Sequence, residues 1–81
     1  MDIKGEIYDY IVEKFDIDVD EDFGGDLNLF DYGYVDSLTA TEVILFLEDH
    51  FGIEITQRDI MLYPMNTINE LAEVVREKLE G

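Results

Sequence analysis

A chain of 81 residues supports one domain with one core, spanning 1–81, and a thin margin of stability. Its 21 Asp and Glu against 5 Lys and Arg give a net charge of -16, which repels phosphate backbones and anionic lipid; nucleic acid and membrane surfaces are excluded as partners, and basic protein surfaces and divalent cations remain. The absence of cysteine removes disulfides, thiolate metal sites and the cysteine nucleophile together, as suits a reducing cytoplasm.

The chain opens at Met1 without a basic, apolar leader, and its longest apolar run, VILFL at 43–47, is too short to cross a bilayer, so neither signal peptide nor membrane span is expected. Hydrophobic residues make up 47% and recur with a helical period, which argues for a folded core rather than an acidic disordered chain. Ile3, Ile7, Ile11 and Phe15 fall four apart and predict a first helix over about 2–15, weakened by Gly5. DIDVDEDFGGDLNLFDYGY, 16–34, reads as a long acidic loop. Helical spacing resumes at Asp36 and runs to His50 and Phe51, with Gly52 as the stop.

TQRD at 56–59 opens a short third helix. Past Pro64, TINE at 67–70 has capping-box spacing, in which the Thr67 and Glu70 side chains each bond the other's backbone N–H. Ile68, Leu71, Ala72, Val75 and Leu79 supply the inner face of a last helix, whereas IEI at 53–55 is too short to build a sheet. The expected fold is all-α, a small four-helix bundle of three longer helices and one short one, with a long acidic first loop.

At about 100° per residue, Ala40, Val43, Ile44, Leu47 and Phe51 cluster on the core side of the second helix. Leu38, Glu42, Leu45 and Asp49 fall opposite, with Thr41 and Glu48 beside them, so two leucines face solvent inside a ring of carboxylates, directly below Ser37. Scattered exposed leucines are common and need no explanation on their own. Ser37 is the only serine in the chain. A serine nucleophile needs a base within hydrogen-bonding reach, and His50, the only histidine, lies about 20 Å further along the same helix and on another face. No GxSxG elbow surrounds Ser37, and the core offers no obvious room for a substrate pocket. Taken alone, Asp36 and Ser37 read as helix caps.

Two further readings follow from the residues. From Asp20, DEDFGGDLNLFD approaches the calcium-loop pattern of an EF-hand: Asp20, Asp22, Asp26 and Asn28 are oxygen donors and Gly25 sits at the sharp turn, but Gly24 replaces a ligand, Asp31 replaces the bidentate glutamate and Gly33 interrupts the exiting helix. No dedicated metal site is assigned. Leu38, Leu45 and their acidic ring also suit an unmodified protein-interaction module.

LFDYGYVDSLTATEVILFLEDHFGIEI as a whole resembles the acyl carrier and peptidyl carrier protein family, small acidic four-helix bundles in which Asp-Ser-Leu opens the second helix. Asp36, Ser37 and Leu38 occupy that motif, and the likeness runs from the first helix to NTINELAEVV. The resemblance implies a non-catalytic, monomeric, cytoplasmic carrier. Ser37 would bear a covalent 4′-phosphopantetheine arm whose thiol holds acyl or aminoacyl groups as thioesters. Partners implied are a phosphopantetheinyl transferase, for which Asp36 aids recognition, and loading and transferring enzymes with basic docking surfaces that meet Leu38, Thr41, Glu42, Leu45, Glu48 and Asp49. Fatty-acid, polyketide, nonribosomal-peptide and D-alanylation pathways all use such carriers. With Gly33 four residues before the serine, LFDYGYVDS is more similar to free-standing D-alanyl carriers and to discrete carriers that serve adenylating enzymes than to housekeeping fatty-acid carriers, which leaves the cargo open. An unactivated serine suits a carrier, since a separate transferase modifies it, and the resulting phosphodiester would meet free N–H groups and the positive dipole end of the helix.

Overall fold

The computed structural model describes residues 2–17, 24 and 26–80. Four helices follow in order: α1 (Ile3–Phe15), α2 (Ser37–Phe51), α3 (Gln57–Leu62) and α4 (Ile68–Glu80), and the described residues contain no strand. The predicted class, helix count and second-helix limits hold.

Burial of one face of each longer helix builds the core. Ile7 and Ile11 of α1, Val43, Leu47 and Phe51 of α2, and Ile68, Leu71 and Val75 of α4 are all buried, with Ile3, Phe15, Ala40 and Ile44 packed half-buried against them. α1 lies closest along α4. Two details of α4 differ from the helical wheel. Leu79 is 43% exposed, because it falls in the last turn beyond the bundle, and Val74 is buried in its stead. At the N-terminal end of the helix the Glu70 amide donates to Thr67 Oγ1 at 3.1 Å as expected, but the Glu70 carboxylate reaches one residue further back, to the Asn66 amide at 3.0 Å.

α1 and α2 run antiparallel and are joined by a ladder spaced four residues on each helix. Glu6 meets His50 at 3.0 Å, Tyr10 stacks on Phe46 with centroids 3.6 Å apart, and Lys14 meets Glu42 at 2.5 Å. Gly5, a weak point by propensity, has a use: Asp2 caps α1 by accepting from the Gly5 amide at 3.0 Å, and a Cβ there would lie 2.2 Å from the Asp2 carboxylate. The helix stops where Asp16 turns left-handed, φ 51°, and the Ile17 amide returns to the Val12 carbonyl.

The first loop is more than a tether. Leu29 and Val35 are buried, and the Leu29 amide donates to the Asn66 carbonyl at 2.8 Å, tying the loop to the turn before α4. Gly33 has φ 78°, and its amide and that of Tyr34 return to the carbonyls of Phe30 and Leu29, a Schellman-type reversal that requires a left-handed residue there. That reversal delivers the chain to Asp36 in extended conformation, ready to cap α2.

Candidate functional site

Asp36 organises the start of α2. Its Oδ1 accepts from the amides of Leu38 at 3.0 Å and Thr39 at 2.9 Å, while the Asp36 amide donates to Thr39 Oγ1 at 2.8 Å, completing a capping box. The Thr39 hydrogen bonds, with that from Leu38, hold the Asp36 carboxyl below the usual carboxylate range. These contacts correct one expectation: the Leu38 and Thr39 amides are not free for an anion on Ser37, because Asp36 already occupies them. Asp36 Oδ2 has no partner among the described residues.

Ser37 is the first residue of α2 and is exposed, and its hydroxyl makes no hydrogen bond among the described residues. His50 is committed elsewhere, paired with Glu6 and stacked on Phe46 at 4.9 Å. Among the described residues the hydroxyl therefore has neither a base to activate it nor a donor to stabilise an alkoxide. Because nothing described covers Ser37 Oγ, a bulky phosphodiester can be accommodated there, with Asp36 and Leu38 flanking it.

The remaining predicted residues do not form one uniform patch. Leu38 is 71% and Leu45 58% exposed, and Thr41 and Asp49 are exposed, with the Thr41 hydroxyl donating to the Ser37 carbonyl at 3.2 Å. Glu42 is exposed but paired with Lys14. Glu48 is half-buried and its carboxylate accepts from the Ile55 amide at 2.9 Å, so part of its charge serves the loop after α2. For the calcium-loop reading, Asp20, Asp22 and Gly25 lie outside the described residues. Asn28 Oδ1 accepts from the amides of Phe30 and Asp31, both at 3.0 Å, which makes it a turn former.

The expected lack of a pocket does not hold. An apolar pocket of about 480 Å³ lies between α2, the first loop and α3, lined among others by Phe30, Ala40, Ile44, Ile60 and Met61. The sequence signal for it is IML at 60–62, an apolar run in a helix whose only buried residue is Asp59. Among the described residues no acid–base or nucleophilic pair lines this space, whose walls suit an apolar group.

The family model for phosphopantetheine attachment sites matches residues 6–75. The chain is 38% identical over 77 residues to the D-alanyl carrier protein of Streptococcus mutans, covering 95% of each chain. It is 33% identical over 78 residues to that of Bacillus subtilis, covering 91% of this chain and 99% of the relative, and 36% identical to that of Streptococcus suis over the full length of both. With a four-helix fold, an exposed, unactivated serine at the head of α2 and a family match over most of its length, this chain belongs to the phosphopantetheine-attachment family of carrier proteins, which present acyl groups on a 4′-phosphopantetheine cofactor.

Proposed function

We infer that Ser37 is the attachment point and that the chain is a non-catalytic carrier of a small aminoacyl group, D-alanine in the first instance. The observation that carries this reading is the Ser37 hydroxyl: exposed, unpartnered among the described residues, and fixed by the Asp36 capping box at the first turn of α2. On modification Ser37 Oγ forms a bond to the phosphorus of coenzyme A nearest the pantetheine, adenosine 3′,5′-bisphosphate leaves, and the serine proton passes to the transferase. The arm, once attached, supplies the thiol on which cargo is held as a thioester. Asp36 keeps the helix start rigid through Oδ1 and offers Oδ2 to the transferase. Leu38 and Leu45 supply an apolar anchor, Thr41 borders it, and Glu42, Glu48 and Asp49 attract basic residues of transferase and loading enzyme. D-alanine is favoured by the relatives' names. The carrier works as a cytoplasmic monomer; among the described residues no helix is long and apolar enough to cross a membrane.

Incubation with coenzyme A and a phosphopantetheinyl transferase, read by intact mass, tests the site. Wild type gains one arm, whereas Ser37→Ala stays unmodified with an unchanged melting curve, because Asp36 still caps α2. An alanine variant that still gains the group refutes the assignment.

The apolar pocket favours a second cargo reading, a longer acyl chain, since a charged aminoacyl group gains nothing from apolar walls. Loading the modified chain chemically with D-alanyl or octanoyl groups separates the two. An octanoyl group that enters the pocket raises the melting midpoint above that of the D-alanyl form, and equal midpoints dismiss the second reading.

A further inference from the structure

α3 is held unlike any other helix of this chain. It has six residues, too few to be stable alone, and it buries no apolar side chain: Ile60, Met61 and Leu62 are exposed, Met61 to 85%. Its one buried residue is a carboxylate, Asp59, 8% exposed, and that group reaches across to α4, where Asp59 Oδ2 lies 2.6 Å from Lys78 Nζ. The same oxygen accepts from the Thr56 amide and the Thr56 hydroxyl, both at 2.9 Å, so one atom both caps α3 and ties it to α4.

We propose that the Asp59–Lys78 pair is a latch that seats α3 as a movable wall of the apolar pocket. Ile60, Met61 and Leu62 form that wall, and opposite them stand Ala40, Val43 and Ile44 of α2. The chain on either side of α3 stays anchored without the pair, since Ile55 is buried and Tyr63 and Met65 pack half-buried on the core. Breaking the latch therefore swings α3 between two fixed points and leaves the bundle folded. The Lys78 ammonium, with help from Thr56, lowers the Asp59 carboxyl to about 2, so the carboxylate is ionised at neutral pH and the latch is set by default. Neutralising Lys78 leaves a buried carboxylate short of one donor, and moving α3 outward to rehydrate it is the cheapest remedy. The pocket widens as a consequence. This inference concerns the unmodified chain and does not depend on what the carrier bears.

Amide hydrogen exchange by NMR on the full unmodified chain tests it, with Lys78→Met to remove the charge and Lys78→Arg to keep it. The Ile60 amide donates to the Thr56 carbonyl and the Tyr63 amide to that of Asp59, so both report on α3, while Leu71, donating to Thr67, reports on α4. In Lys78→Met the two α3 amides should exchange at least about tenfold faster while Leu71 and the core amides of α1 hold their rates, as expected for loss of one charge-assisted bond. Nile red, a neutral apolar dye that the acidic surface does not repel, should bind this variant more strongly. Lys78→Arg should restore both readouts. If the α3 and α4 amides accelerate together, the pair only adds to global stability and the latch is refuted; unchanged α3 exchange refutes it equally.

Discussion

Replacing Leu45 and Leu47 by alanine in turn separates a surface that binds from a surface that folds, since the two leucines sit two residues apart on α2 with opposite environments. Leu47 is fully buried and Leu45 is 58% exposed. Leu47→Ala removes a packed side chain and leaves a cavity, at a cost of about 2–5 kcal/mol. For an 81-residue domain whose whole stability is about 4–12 kcal/mol, that lowers the melting midpoint by roughly 10 °C or more, or unfolds the chain. Leu45→Ala gives up less than half of a leucine's burial, about 1 kcal/mol or less, and the better helix propensity of alanine offsets a few tenths of that. The midpoint should therefore move by only a few degrees, roughly 2–6 °C. Transferase kinetics on the folded Leu45→Ala protein should instead show a raised KM with little change in kcat, as removal of a docking anchor predicts. A midpoint for Leu45→Ala as low as that for Leu47→Ala would place Leu45 in the core; an unchanged KM would remove it from the docking surface.

Asp49→Lys, chosen because Asp49 makes no ion pair among the described residues, should slow modification more at low salt than at high salt, by about threefold or more at the lowest ionic strength; a salt-independent loss would mean that Asp49 contributes no long-range steering. Asp16→Gly should raise the melting midpoint by a few degrees, roughly 0.5–1 kcal/mol, because glycine adopts the left-handed cap at φ 51° without the Cβ penalty. Acid titration tests Asp59, whose folded carboxyl titrates at about 2 against an ordinary 3.8. A depressed folded value stabilises fully above pH 4 and the contribution is lost as pH falls from about 4 to 2, so the gap in midpoint between wild type and Asp59→Asn should close across that window and be constant above it.

Helix order, the α2 limits and its two faces were legible because they follow from local periodicity and short-range caps: Asp36 and Gly52 bound α2 as their residue types predict, and Val43 and Leu47 point inward as a 3.6 period requires. Positions decided by distant partners were not. Glu48 has the spacing of a solvent-facing residue, yet its carboxylate bends to the Ile55 amide of the following loop. Lys78 looks like a solvated cation in the last turn of α4 until α3 brings Asp59 beside it. The pocket was hidden for the same reason: IML at 60–62 marks one wall, but the others come from α2 and the first loop, and only the tertiary fold brings them together.

The charge distribution fits a serine that has no base beside it among the described residues. Among the described residues, Lys14, His50 and Lys78 each pair with a carboxylate on a different helix, and Arg76 pairs with Glu73 within α4. Two of the five Lys and Arg residues, Lys14 and Lys78, thus sit where helices meet, which relieves like-charge repulsion at those seams of the bundle. The solvent side of α2 around Leu38, Leu45 and Asp49 keeps its negative field. On the proposed reading a basic enzyme would be drawn to that face and would bring the base that no described residue offers Ser37. Were a base of this chain to lie beside Ser37, it would sit next to the phosphodiester that ties the arm to the chain and would promote its cleavage. An inert serine on a charged, rigidly capped helix start avoids that loss, and reaction waits for the partner.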